Sequence, residues 1–524
     1  MKKLILFSIL AAPAVMLANV STPPQNVSFV KNVFVTYLSP NGEWIANSAG
    51  DASVYNIPEN KVYSYEDSEA GRGNAIANNG MMAGDVGFVP VVFYLDKVNY
   101  PSKFIQSYDY GTFNGINADG TRAVGFVGNP LSKDEIMMEF PSYVDIDANG
   151  NVGEIKILPH PELDLFGSPV QRVIALAVSD DGKTIVGEIT DFRGMYEYPI
   201  VFTEDNQGNW EYSLPTEDLF NPTGIVLPAN PDVSEPTFPE PEDFMSGIRY
   251  QEYLTAMERW ENGYEDEQPN PLDYMNDVQK ESYRTAAEIY NTWFYDNEEA
   301  NRLYRIIYLD VLKTSPNFGF NHAKVSPDGT MISSSASLLD DSYEEVSYLY
   351  TMNVDGSNLR KYPSPQGVTF PIQILPDNAV IASQPKGSFP NTFIFPPSGK
   401  GAIFLLDFLK TDYPQVASWI QENFGFGTGQ VFFSYDMSVL AGGIEPDLMS
   451  EYDEDTADYW YSTYIVNNLI LSDVKEIKTD NINDGIYRVY NLQGVKMLET
   501  KDRDAISSLN KGIYIINGKK VVIK

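Results

Sequence analysis

The sequence predicts an all-β chain: a β-propeller, most simply of seven blades, with an α-helical insertion and a small C-terminal β-sandwich. Three observations lead there. A turn motif recurs along the chain, a second pair of strands follows most copies, and the first copies are spaced by about the length of one four-stranded unit.

The motif is an apolar residue, a Ser/Asn-x-Asp/Asn-Gly turn, two or three residues, then a β-branched strand. Clear copies are LSPNGEWIAN (38–47), IANNGMMAGD (76–85), INADGTRAVGF (116–126), VSDDGKTIVGE (178–188) and VSPDGTMISSS (325–335). Two weaker copies, ILPDNAVIAS (374–383) and FSYDMSVLAGG (433–443), lack the glycine at Asn378 and Met437. Asn-Gly or Asp-Gly supplies the positive φ angles of a tight hairpin turn, and the flanking alternation supplies two half-buried strands. A further strand pair follows most copies, as in SVYNIPENKVYSY, PVVFYLDKV, YPIVFTEDNQGNWEY and AIFLLDFL, so each unit reads as four strands.

The turn glycines at 42, 80, 120 and 182 are 38, 40 and 62 residues apart. The first two gaps match a propeller blade, and the third implies an insertion. Spread over 27–471 without the helical insertion, the chain allots about 52 residues to each of seven units. SPDG with its following apolar strand, and NVDGSNLRKY (353–362), resemble the TolB-type and related WD-like bacterial propeller repeats. The resemblance implies architecture and little chemistry, because that family holds binding scaffolds and enzyme-associated domains alike.

Between 232 and 313 the pattern changes to helical spacing, after a proline-rich acidic stretch. Tyr250, Tyr253, Leu254, Met257 and Trp260 form one stripe; Tyr283, Ala286, Ala287, Tyr290 and Phe294 form another; Ala300, Leu303, Tyr304, Ile307 and Val311 form a third. Two or three amphipathic helices are expected, with the aromatic stripes packing helix on helix or helix on propeller. Glu258, Glu261, Glu281 and Glu288 then make the solvated faces.

At the N-terminus Lys2 and Lys3 precede an uncharged apolar run from Leu4 to Leu17, with small residues at Ala12, Ala14 and Ala18. This is the layout of a secretory signal peptide over 1–18 and predicts export. A run of about fourteen residues is too short to span a bilayer, and no later stretch is long enough, so no transmembrane segment is expected.

At the other end a polar linker (472–483) leads to GIYRVYNLQGVKMLE and LNKGIYIINGKKVVIK, alternating strands separated by glycine turns. IYRVYNLQGVKM, LNKGIYII and the closing KKVVIK resemble the C-terminal sorting domain of type IX secretion substrates, here 484–524. That resemblance implies passage through the outer membrane, with the secretion machinery as a partner, and a secreted or outer-surface location.

Composition narrows the chemistry. With 72 acidic against 36 basic residues the chain carries a net charge of −36, a field that repels phosphate backbones and argues against nucleic acid as a partner. Cysteine is absent, so disulfides and thiolate metal sites are excluded. The two histidines, His160 and His322, lie in no metal-ligand spacing, and no nucleophile elbow, P-loop or His-Glu-x-x-His motif is present. DIDANGNVGE (145–154) copies the start of a calcium loop but has Lys156 where a bidentate glutamate belongs, so it reads as a hairpin turn. The acidic run EYDEDTADYW (451–460) reads as a solvated loop.

No catalytic, cofactor or metal residue is assigned, and no cofactor is expected. The reading is an exported propeller scaffold that binds a glycan, peptide or protein through one face of its blades. Two alternatives stand beside it: a carboxylate-dependent glycan hydrolase or lyase, whose acids would cluster with shifted pKa values in the channel mouth, and a structural or adhesive surface protein.

Overall fold

A computed structural model describes residues 21–31, 33–47, 52–65, 71–95, 97–102, 108, 110–129, 138–170, 172–191, 196–225, 239–262, 268–319, 322–364, 368–384, 391–397, 401–424, 430–444, 462–469, 487–490, 496–500, 512–516 and 519–523. The expected leader and the run 451–460 lie outside them. Two compact units divide the chain: one of Met1–Phe220, Pro316–Asp340 and Glu344–Lys524, the other of Asn221–Ser315 with Asp341–Tyr343.

The larger unit is a succession of antiparallel meanders. After β1 (Val27–Lys31) come β2–β5 (Val35–Leu38, Trp44–Asn47, Ser53–Asn56, Lys61–Ser64) and β6–β9 (Gly71–Ile76, Met82–Val86, Val89–Tyr94, Lys97–Asn99). Next are β10–β13 (Tyr110–Ile116, Arg122–Asn129, Met138–Asp145, Lys156–Ile157) and β14–β17 (Arg172–Val178, Thr184–Thr190, Glu197–Glu204, Trp210–Ser213). These two meanders are joined into one sheet by the parallel pair Glu139–Arg172.

Two more follow: β18–β21 (Lys324–Val325, Met331–Leu339, Glu345–Asn353, Arg360–Pro363) and β22–β25 (Phe370–Ile374, Val380–Gln384, Asn391–Phe395, Ile403–Phe404). The last sheet takes β26–β28 (Gln430–Phe433, Leu440–Ile444, Ser462–Val466) and borrows β1 as its outer strand, Val27 facing Val466. Each first strand touches the first strand of the next meander, from β2 to β6, β10, β14, β18 and β22, while β26 touches both β23 and β2. This arrangement is of the β-propeller type.

Apolar side chains fill the seams between sheets. Ala46, Val54, Ile76, Met82, Val91 and Phe93 join the first two meanders. Val35, Ile45 and Tyr55 meet Phe432, Ala441 and Ile465 of the last sheet. Each buried side chain of this size is worth about 1.5–3 kcal/mol, so the seams supply most of the stability.

The first strands share an irregularity. Register shifts by one residue at Thr36, Asn74, Asn114, Leu176 and Ile372. Three of these bulges turn a polar side chain sideways, while Leu176 and Ile372 are buried. Thr36 Oγ1 donates to Gly73 O at 3.0 Å, Asn74 Nδ2 to Phe113 O at 2.9 Å and Asn114 Nδ2 to Ala175 O at 2.8 Å, each reaching the next sheet's first strand. The bulge crowds the second strand, where a Cβ at Gly125 would overlap the Thr112 carbonyl.

Every motif turn takes one left-handed residue. Gly42, Gly80, Gly120, Gly182 and Gly329 have φ between 70° and 81°, and Asn378 (68°) and Met437 (56°) fill the same position without glycine. The Asn or Asp before each is not left-handed, so the turn is a four-residue loop with one positive φ instead of the two-residue primed turn the dipeptides suggest. The reason is local: Ser179 Oγ bonds the Asp181 carboxylate (2.7 Å), that carboxylate accepts from Lys183 N (3.0 Å), and Ser179 Oγ accepts from Thr184 N (3.0 Å). Ser326–Asp328 and Ser434–Asp436 repeat it at 2.6 and 2.7 Å.

AIFLLDFL departs from the strand-pair reading. Only Ile403–Phe404 is a strand; Leu405–Asp412 and Pro414–Phe424 are helices whose Leu405, Leu406, Leu409, Trp419 and Ile420 pack against the last sheets. Apolar residues at 405, 406 and 409 have helical, not alternating, spacing.

In the smaller unit, α1 (Ile248–Glu261) and α2 (Asp277–Leu312) are two long helices, the lower of the two expected numbers. The second and third stripes lie on one 36-residue helix, which starts at an Asn276–Gln279 capping box and contains no proline or glycine to break it. Met245, Tyr253 and Met275 are buried with Phe244, Tyr274 and Tyr283 around them, so aromatic residues of the stripes pack within this unit. The C-terminal strands β29–β32 (Tyr487–Tyr490, Lys496–Thr500, Gly512–Ile516, Lys519–Ile523) form one sheet in the order β30-β29-β31-β32. Among the described residues this is a single layer, where a sandwich was expected, because four short strands supply only one sheet. No helix among the described residues is long and apolar enough to cross a membrane.

Candidate functional site

Because every meander runs first strand, motif turn, second strand, the motif turns lie at one end of the strands, and the starts of the first strands and the Gly87–Phe88 turn lie at the other. The two ends have different chemistry.

At the motif-turn end the loops bond to one another. Asn41 N donates to Asn78 Oδ1 (2.7 Å), Asn78 N to Ala118 O (2.8 Å), Asn117 Nδ2 to Asp180 O (3.2 Å), Asp180 N to Pro327 O (2.9 Å) and Tyr435 N to Pro40 O (2.8 Å). Tyr435 also reaches to a loop 255 residues away, donating its hydroxyl to Asp180 Oδ1 at 3.0 Å. Burial pushes the Asp180 carboxyl up to about 6; the Tyr435 hydrogen bond opposes this, while Asp119, Asp181 and Asp328 add to it. Burial, then Asp180, raises Tyr435 far above its ordinary range.

A second long-range pair comes from the first strands: Lys324 Nζ donates to Tyr37 Oη at 2.9 Å, and Tyr37 packs on Phe432 at 5.1 Å. Beside Lys324, His322 stacks on Phe370 at 4.4 Å. Burial and the Lys324 charge lower it to about 4, so it is a neutral ring at ordinary pH. His160 lies against Phe140, its Nδ1 3.1 Å from Pro161 O. The histidines thus belong to separate apolar contacts.

At the opposite end, the starts of β6 and β14 carry Arg72 and Arg172, and β10 begins with Tyr110. Arg172 Nε meets Glu139 Oε2 at 2.7 Å, and its Nη1 lies 3.5 Å from Glu197 Oε1 and 3.1 Å from Thr190 Oγ1. Tyr110 reaches Glu139 at 3.5 Å; burial, then Glu139, pushes its hydroxyl up to about 12. Asp85, buried, accepts from Thr112 Oγ1 (2.9 Å) and from Phe88 N (3.2 Å), with Arg72 Nε at 3.9 Å.

The calcium-like loop is a turn. Asp147 accepts from Asn149 N, Asn151 N and Asn151 Nδ2 at 2.8–2.9 Å, while Asp145 pairs with Arg122 and Lys156. Arg122 also pairs with Glu204 at 2.7 Å and lies over Tyr143 and Trp210, a clasp between adjacent meanders. Among the described residues no group of three or more His, Cys, Asp or Glu is placed to hold a metal.

Sequence reasoning found the turns but neither Tyr435–Asp180 nor Arg172 with its two glutamates. Tyr435 carried a faint signal: it stands at the proline position of the Ser-Pro-Asp-Gly copies, and a large side chain there is unlike the rest.

No protein-family model and no curated protein matches the sequence. Among solved structures, prolyl oligopeptidase B from Galerina marginata, bound to a 25mer macrocyclization substrate, is 9% identical, covering 82% of this chain and 40% of its own, at a TM-score of 0.31. The chain thus spans well under half the length of that protein. A polysaccharide lyase is 8% identical over 83% of this chain and 90% of its own, at 0.37. Trypanosoma rangeli sialidase in complex with sialic acid is 8% identical over 85% and 59%, at 0.35. At such TM-scores none of these likenesses bears on activity, and the architecture rests on strand order and pairing.

Proposed function

We propose that the chain is an exported, seven-bladed β-propeller that serves as a binding scaffold for a glycan, peptide or protein. Its blades would be the seven four-stranded meanders, with the ring closed where β1 completes the sheet of β26–β28. Its ligand face would be the end that carries the second-to-third strand connections. The observation that carries a binding reading is the state of the carboxylates there: Glu139 and Glu197 face Arg172, and Asp85 is spent on Thr112, Phe88 and Arg72. Carboxylates held in such pairs give a fixed polar surface that can position a ligand or a loop. Glycan arrays and pull-downs with the mature protein test it; no captured ligand of any class, from wild type, defeats it.

Export by a type IX route would follow from the leader over 1–18 and the C-terminal strands over 484–524. A truncation ending at Ile477 that still reaches the surface would remove the sorting role. One observation favours the hydrolase or lyase alternative: a carboxyl raised to about 6, Asp180, among Asp119, Asp181 and Asp328. Glycan cleavage by wild type that is abolished in Asp180→Asn would establish it.

A further inference from the structure

The turn between β7 and β8 departs from the residue preference of its own turn type. Gly87 and Phe88 are both left-handed, at φ 57° and 65°, the primed two-residue hairpin that ordinarily carries glycine or asparagine at its second place. A phenylalanine there is strained, and the residue is 55% exposed, so neither backbone preference nor burial accounts for it. Three hydrogen-bonded or stacked neighbours nevertheless hold it in place. Asp85 Oδ1 accepts from Phe88 N at 3.2 Å, Gly111 N donates to Phe88 O at 2.7 Å, and the Arg72 guanidinium lies 4.7 Å from the ring centroid. Arg72 itself is half exposed, against 4% for the Asp85 side chain it pairs with.

The outcome is a rigid aromatic plate backed by a guanidinium, displayed at the end of the strands that lacks the motif turns. Strain and exposure in one residue, fixed by its surroundings, mark a group kept for contact with something else. We infer that Phe88 and Arg72 form a stacking subsite for a neutral sugar ring of a glycan, a statement that rests on the binding-scaffold reading and specifies its ligand. The C–H face of a pyranose would cover the open ring face, while Arg72 on the other face holds the ring in place. A neutral ligand is indicated because Asp85 already offsets the Arg72 charge, and the net charge of −36 repels polyanions.

The test uses the mature full-length protein and a panel of cello-, malto- and laminarihexaose, with polygalacturonate as the anionic control. Wild type should bind at least one neutral hexaose and not polygalacturonate. Phe88→Gly should weaken that binding about tenfold or more while holding or raising the melting temperature, because glycine relieves the strain. Phe88→Trp should keep the binding. Arg72→Ala should weaken it less than Phe88→Gly. If wild type binds a neutral hexaose and Phe88→Gly binds it equally, the subsite falls and the scaffold reading survives. A lower melting temperature in Phe88→Gly assigns Phe88 to stability and also overturns the subsite. If wild type binds none of the neutral panel the subsite falls, and if pull-downs are empty as well the scaffold reading falls with it.

Discussion

The two ends of the strands were built by different rules. At one end similar short loops, Ser or Asn followed by Asp or Asn and a left-handed residue, bond to their neighbours through backbone and short polar side chains. At the other, the contacts among the described residues are individual: Arg172 between two glutamates, a strained Phe88 under Arg72. The contrast separates what a repeat is for from what a single copy is for. Repetition supplies a stable frame, and the positions free to differ are those where recognition can be placed.

The sharpest way to break this comparison is at Arg172. Replacing it with alanine leaves Glu139 and Glu197, both largely buried, facing each other, and should cost about 2–3 kcal/mol in urea unfolding, with Glu139→Gln in the same chain restoring part of it. A cost below a few tenths would mean that these charges are effectively solvated.

Next come the serines of the motif turns. Ser179→Ala, Ser326→Ala and Ser434→Ala should each cost about 1 kcal/mol and agree closely with one another, since each removes the same pair of bonds. Widely different costs would show that the turn end is not a true repeat in energy.

Acid and base dependence gives a finer test. The raised Asp180 carboxyl binds its proton more tightly folded than unfolded, so its contribution is most favourable in acid and worsens as pH rises through about 6. Asp180→Asn should therefore stabilise the protein above pH 6 by about 1 kcal/mol and be near neutral below pH 4. His322 has the opposite sign: its lowered value makes the unfolded chain take the proton first, so stability is lost as pH falls from 6.5 towards 4. His322→Asn should flatten that loss in melting curves. The smallest effect belongs to Tyr435→Phe, about 0.5–1 kcal/mol for one hydrogen bond, smaller still when made in Asp180→Asn.

Local chemistry was the part the sequence made legible. An Asn-Gly or Asp-Gly pair before an apolar strand states its own turn, so Gly42, Gly80, Gly120, Gly182 and Gly329 marked hairpin positions correctly, and even Asn378 and Met437 occupy the same backbone conformation. Turn type was less legible, because the serine hydroxyl that selects the longer loop acts through bonds a propensity does not count. The helices after Phe404 were missed because an apolar run of eight residues suits either period. Contacts such as Tyr435–Asp180 and Lys324–Tyr37 join residues 255 and 287 apart in sequence, and no pattern within a window announces them. The same is true of Arg172, whose partners lie 33 and 25 residues away on opposite sides.

The pairing of β1 with β28 has a consequence for how the molecule comes into being. Val27 must wait for Val466 before either edge finds its hydrogen bonds, so nearly the entire polypeptide has to emerge before the first strand is docked. Until then the early meanders carry an open flank, and the chain stays loosely assembled along its most sequence-distant joint. A sheet completed only when Val27 meets Val466 stays unfinished for as long as either strand is held back.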